Sequence, residues 1–293
     1  MSKSTNQPIR AGIVGLGRSG WSIHAKSIEA LPNQFQVAAV SDPDAERREE
    51  AKQTFGCRTH DSFESLIADK ELDLVVVASP SHMHAEHSIA AMEAGHHVLC
   101  EKPFALSSEE ADRVIAASQR TGRVIAPFQN RRYEAAFQQV QRVIESGKLG
   151  RIVQIRMAAH GFRRRWDWQT LKEYGGGTLN NTGPHFVDQA LELFGPGEPE
   201  VFCLMDHTVS LGDADDHVKL VLHGEDHPIV EVEMTAACPF GQDPWLVMGT
   251  QGGLRGNARE LEWKWINPDE LPPREVDITP TPDRSYNREE YTW

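Results

Sequence analysis

Only four cysteines occur in 293 residues, Cys57, Cys100, Cys203 and Cys238, far apart and without any Cys-x-x-Cys spacing. That scarcity excludes a disulfide framework and a thiolate zinc site, and leaves the thiols to act as small buried residues. No stretch approaches the ~20 apolar residues of a membrane-spanning helix, and the polar segment Met1–Arg10 carries no apolar signal core. Positive charge is scarce too: 30 Lys and Arg face 43 Asp and Glu, a net charge of −13. Binding a polyanion needs clustered cations. The run Arg163-Arg164-Arg165, followed by Trp166 and Trp168, is too short to provide them. Nucleic acid and membrane are thus excluded as main partners, and a soluble protein of a reducing cytoplasm is expected.

The sequence does have enough apolar content, 39%, for a sizeable core. Over the first part of the chain, apolar runs alternate with helix-like segments, the pattern of a parallel sheet covered by helices. The runs are Ile9–Val14, Gln36–Ser41, Leu72–Ser79, His96–Cys100 and Arg123–Phe128. Leu74-Val75-Val76-Val77 does not alternate, as expected of a strand buried on both faces. Asp42 is expected to cap a helix that has Pro43 at its first position and ends at Gly56. Ser107-Ser108-Glu109-Glu110 reads as a capping box for a helix that closes at Gly122.

After Phe128 the pattern changes. A helix over Tyr133–Ser146 leads into Ile152–Met157, where apolar and polar residues alternate. Val218–Leu222 and Val230–Met234, joined by His223-Gly224-Glu225-Asp226, read as an antiparallel hairpin with one exposed face. The expected class is α/β, with a doubly wound Rossmann domain over residues 1–127 and an α+β domain on a mostly antiparallel sheet over 128–293. Beyond Asn267 the chain is rich in Pro and charge, and irregular structure is expected.

Gly15-Leu16-Gly17-Arg18-Ser19-Gly20 follows the first strand and precedes a helical pattern, the context in which Gly-x-Gly-x-x-Gly cradles a dinucleotide pyrophosphate. Asp42 ends the second strand 22 residues after Gly20, where a carboxylate can accept from both adenosine ribose hydroxyls. An acid there repels a 2′-phosphate, so NAD is preferred. NADP remains possible because Arg47 and Arg48 on the next helix partly offset the repulsion. Ser79, Pro80 and Glu101 lie at carboxyl ends of strands, where the nicotinamide half is expected.

Three further segments stand out: Pro80-Ser81-His82-Met83-His84, Glu101-Lys102-Pro103, and Gly175-Gly176-Gly177-Thr178-Leu179-Asn180-Asn181-Thr182-Gly183-Pro184-His185. With the glycine loop, they resemble the glucose–fructose oxidoreductase/inositol dehydrogenase (Gfo/Idh/MocA) family. The similarity runs from Ile9 to about Trp265. It implies an NAD(P)-dependent dehydrogenase acting on the CH–OH group of a sugar, sugar derivative or inositol. Within it, Lys102 lies under the reacting carbinol, His185 accepts the proton and His84 sits near the cofactor. The second domain's sheet is implied as the substrate wall and as a face for homo-oligomers. Two departures stand out. Asn181 occupies the family's Asp position; it can bind a hydroxyl but brings no charge to His185. Chains of the family also usually continue past the region of Trp265 into more strand and helix, whereas a Pro-rich tail follows here.

Other candidates come from the residues themselves. The glycine run before His185 implies that something bulky lies against that backbone. Asp188, at i+3 from His185, is placed either to orient the imidazole or to sit as a solvated acid in the first turn. Arg132 either reaches a polyhydroxylated or anionic substrate or forms an ion pair. Trp166 and Trp168 offer rings to a sugar face, with core packing expected for at least one. His82, His84, His87, His96 and His97 have no completing carboxylate or thiol pattern, so no metal is expected. Two other functions use the same residues: glycoside cleavage by transient oxidation on a retained NAD, and a metabolite-sensing regulator without catalysis.

Overall fold

A computed structural model describes residues 7–283, 285–288 and 290–291. Its contacts divide the chain into two compact units. One holds the segment up to Gln129 together with Trp166–Pro184 and Leu211–Ala214; the other holds Asn130–Arg165, His185–Ser210 and the chain from Asp215 onward.

In the first unit six strands form one parallel sheet: β1 (Ile9–Val14), β2 (Phe35–Ser41), β3 (Arg58–His60), β4 (Leu74–Val77), β5 (His97–Cys100) and β6 (Ile125–Pro127). Their order, β3-β2-β1-β4-β5-β6, reverses direction between β1 and β4, where doubly wound sheets bind ligands beyond the strand ends. The unbroken valines of β4 are fully buried because both faces of the sheet are covered. One face packs Val75 and Val77 with Leu66, Met92 and Val114. The other packs Val76 with Ile13, Val40 and Ile28.

The helix Ala45–Phe55 ends at Gly56 as expected, but its cap is Asp44, whose carboxylate accepts the Glu46 N–H. Asp42 lies two residues earlier, with one oxygen accepting the Asp44 N–H and the other the Leu16 N–H. Ser107 caps the helix Ser108–Thr121, its hydroxyl accepting from the Glu110 N–H at 3.1 Å.

Seven strands make the second unit's sheet: β7 (Ile152–His160), β8 (Glu200–Asp206), β9 (His217–His223), β10 (Ile229–Thr235), β11 (Trp245–Gly249), β12 (Gly252–Gly256) and β13 (Leu261–Trp265). Their order is β13-β12-β11-β7-β10-β9-β8. Only β7 and β10 pair in parallel. The α/β class read from the sequence, a Rossmann sheet followed by a mostly antiparallel one, is therefore present.

Strands β9 and β10 form the expected hairpin, with Val230 opposite Leu222 and Val232 opposite Leu220. Their alternation sorts Val218, Leu220, Val230, Val232 and Met234 to a buried face. The helix Ala135–Glu145 packs there through Phe137, whose ring stacks on Trp245. The opposite face carries a charge cluster in which Lys219 pairs with Glu231 and Glu233, and Arg156 with Glu231. Edge strand β8 is exposed along its whole length, so Cys203 is exposed, contrary to the expectation of four buried thiols.

Candidate active site

The glycine loop begins where β1 ends. A side chain at Gly20 would put its Cβ 1.8 Å from the Gly15 carbonyl oxygen, so the turn that follows can pass this close to the strand only with glycine there. A Cβ at Gly17 would meet nothing within 4 Å, which leaves bare backbone for a phosphate to approach. The loop runs into a π-helical turn, Ser19–Ala25.

Asp42, 5% exposed, stabilises this loop from the end of β2. Its Oδ2 accepts the Leu16 N–H at 2.7 Å, and its Oδ1 accepts the Asp44 N–H at 2.9 Å. Each oxygen keeps a second lone pair for a ribose hydroxyl. Arg47 Nη1 lies 3.6 Å from the same carboxylate. Arg48 instead donates to the backbone carbonyls of Asp42 and Pro43.

A cavity of about 610 Å³ opens over this loop within the first unit. Gly15, Gly17, Arg18, Ser19, Asp42, Ser79, Pro80, His84, Glu101 and Lys102 all line it, whereas Gly20 does not. Sequence reasoning missed Phe63, His87 and Gln169 as lining residues. Of the two tryptophans, Trp168 lines the cavity, while Trp166 is 75% exposed and does not. Nothing in the sequence separates the pair, since they are two residues apart in an irregular stretch.

Lys102 extends from the end of β5 to the strap Trp166–Pro184. Its ammonium donates to Asn181 twice, to the backbone oxygen at 2.8 Å and to Oδ1 at 3.2 Å. Gln169 Nε2 donates to the same Oδ1 at 3.3 Å. The sequence offered Asn181 as a hydrogen-bond partner for a hydroxyl; in the structure its oxygens meet Lys102. The glycine run before it does face something bulky, and that is the protein itself. A Cβ at Gly176 would lie 2.5 Å from the Gln169 carbonyl oxygen, and one at Gly175 would strike Leu106.

Behind Lys102, Glu101 is 4% exposed. Burial alone would raise its pKa. The hydrogen bond and charge of His24, with the Lys102 N–H, outweigh burial and hold the carboxyl below its usual value. His84, expected near the cofactor, lies between two carbonyls, Nδ1 2.7 Å from Pro103 O and Nε2 2.8 Å from Ser79 O. Burial lowers its pKa. His87 stacks on Phe63 at 3.9 Å, and burial pushes it down to about 4, so it is neutral near pH 7. Among the described residues, no three His, Cys, Asp or Glu side chains are grouped to hold a metal ion.

In the second unit, His185 is buried in the first turn of the helix Gly183–Phe194. Asp188, one turn on, takes a two-pronged hydrogen bond from Arg132, with Nε to Oδ2 at 2.8 Å and Nη2 to Oδ1 at 2.7 Å. Glu192 adds a further charge at 3.2 Å. Of the roles open to Arg132, the structure shows the ion pair.

Comparison with known proteins agrees with these features. Residues 9–128 match the model of an oxidoreductase family described by its NAD-binding Rossmann fold, and residues 137–255 match the GFO/IDH/MocA C-terminal domain. Inositol 2-dehydrogenase 2 of Saccharopolyspora erythraea is 32% identical over 79% of this chain and 68% of its own. An NADP-dependent scyllo-inositol 2-dehydrogenase of Bacillus subtilis is 30% identical over 64% of this chain and 52% of its own. The crystal structure of the WlbA dehydrogenase of Bordetella pertussis, in complex with NADH and UDP-GlcNAcA, superposes with a TM-score of 0.80 at 26% identity, over 89% of this chain and 84% of that one. The chain belongs to the Gfo/Idh/MocA oxidoreductase family, and residues 9–128 are that family's NAD-binding domain. It spans between 52% and 70% of the length of the first curated relatives it matches. Among the described residues, no helix is long and apolar enough to cross a membrane.

Proposed function

We propose that the protein oxidises a secondary alcohol of a sugar, sugar derivative or inositol by passing hydride to NAD. One observation carries this reading most directly: Lys102, held by both oxygens of Asn181, lines the same cavity as the glycine loop and Asp42. The open backbone at Gly17 would receive the pyrophosphate, and Asp42 the adenosine ribose. When bound, the nicotinamide supplies the hydride acceptor. Lys102 would bind the reacting hydroxyl and take up its proton for transfer to His185.

The substrate class is drawn from the relatives, one named for inositol and one bound to a UDP-linked amino-sugar acid. NAD is preferred over NADP because Asp42 faces the ribose site, with Arg47 partly compensating its charge. The same reading carries self-association through the second unit's sheet. Its edge strand exposes Val201, Phe202, Leu204 and Met205 by more than half, and light scattering checks the assembly.

The test is to incubate the protein with NAD and a panel of inositols, sugars and UDP-sugar acids while following NADH. Net NADH from at least one of them is expected. Turnover of none, or cleavage of a glycoside without net NADH, would overturn the reading.

A further inference from the structure

His24 has no place in the reaction just described, yet it is one of the most buried polar side chains of the first unit, 4% exposed. It sits in the π-helical turn that leaves the glycine loop. A π turn widens the helix by one residue and changes where its side chains point. Here the imidazole Nε2 lies 3.0 Å from Glu101 Oε1. The other oxygen, Oε2, accepts the backbone N–H of Lys102 at 3.1 Å. Phe128 closes over the imidazole, ring centroids 4.6 Å apart. Polar contacts thus run from His24, in the turn after the glycine loop, through Glu101 to the backbone of Lys102, whose ammonium meets Asn181.

We propose that His24 is a positioning residue for Lys102, acting through Glu101. A buried carboxylate is costly without partners. The imidazole gives Glu101 one and turns the other oxygen toward the Lys102 N–H. That fixes the backbone from which the lysine reaches Asn181. Other titratable groups beside Glu101 are poor substitutes. The Cys100 thiol is pushed up to about 12 by burial and stays neutral. His84 is occupied between Ser79 and Pro103. Without the His24 hydrogen bond, Glu101 would draw the Lys102 ammonium from Asn181 and hold it more firmly in its protonated form.

The proposal rests on the reading of Lys102 as a reacting group, but its test needs no substrate. Competitive labelling with acetic anhydride, read by mass spectrometry, reports how much of each lysine is a free amine. Exposed Lys264 serves as the internal reference. In His24→Leu, Lys102 labelling near pH 8 should fall about three- to tenfold, as a rise of about half to one pKa unit requires. His24→Gln, which keeps a donor near the Nε2 position, should recover most of it. NAD titration of both variants should show affinity near wild type, as expected if the glycine loop is intact. Unchanged Lys102 labelling in His24→Leu would overturn the proposal, as would a loss that Gln does not rescue. Should His24→Leu fail to fold, Glu101→Gln removes the carboxylate charge while keeping its shape. Lys102 labelling should then rise, and no change would overturn the role given to Glu101. Loss of turnover in Lys102→Ala is a separate measurement, so the functional reading and the role of His24 can fail independently.

Discussion

At residue 181 the chain carries a neutral amide where the motif it resembles has a carboxylate, and in the structure that amide meets Lys102. Asn181→Asp would place an anion about 3 Å from the ammonium and favour the charged lysine, typically by about one to three pKa units. A charged lysine cannot accept a proton, so the acidic limb of the pH–rate profile should move up by about one unit or more. Activity at neutral pH should fall although the motif becomes more typical. An acidic limb that stays in place, in a folded variant that binds NAD, would show that no titration of Lys102 limits the rate. Asp42 invites a second substitution. Its oxygens bind the Leu16 and Asp44 N–H groups, and it lines the cavity over the glycine loop. Asp42→Ala should weaken NAD binding roughly tenfold, by about 1–2 kcal/mol, and NADP binding less. Titration of both nucleotides checks this; tighter NADP than NAD binding by the wild type would contradict it. The glycine loop and Asp42 were legible in the sequence because they lie next to one strand end or at a fixed distance from it. The contact of Lys102 with Asn181 was not, because 79 residues separate them and only the fold brings the strap back.

At the level of elements, the loop after β8 depends on one carboxylate. Asp216 accepts the N–H groups of Thr208, Val209 and Ser210 and the Thr208 hydroxyl. Burial acts to raise its pKa, but these donors outweigh burial and hold the carboxyl far below the ordinary Asp range. A pKa depressed in the folded state stabilises the fold fully above the unfolded value, ~3.9, and the stabilisation is lost as pH falls below it toward the folded value. Asp216→Asn should therefore cost about 2 kcal/mol at pH 7, with the gap from wild type narrowing below about pH 4. Urea unfolding at both pH values checks this, and an equal gap at both would contradict it. Strands that alternate or run unbroken in apolar residues, such as β4, β9 and β10, were readable because burial imposes that pattern. Edge strand β8 was not. Exposed on both faces, it has no buried side to impose a periodicity. The π-helical turn and His24 were equally hidden, since a widened turn leaves no regular spacing behind.

For the whole molecule, the order of elements was legible, a Rossmann sheet and then a mostly antiparallel one, because composition and periodicity change near Phe128. The excursions Trp166–Pro184 and Leu211–Ala214 into the first unit were not, since nothing in their composition distinguishes them from neighbouring loops. That return is what brings Asn181 to Lys102 and Trp168 to the cavity, so part of the site became visible only with the fold. The central claim is that Lys102 and His185 serve one proton transfer while NAD takes the hydride. Its most direct test is NADH formation by wild type, Lys102→Ala, His185→Ala and the double variant, each saturated with NAD and the best substrate of the panel. Each single change should lower kcat by about a hundredfold or more while leaving NAD affinity near wild type. The double variant should be little slower than either single, as groups acting in one step require. Two small losses that simply multiply in the double variant would contradict it.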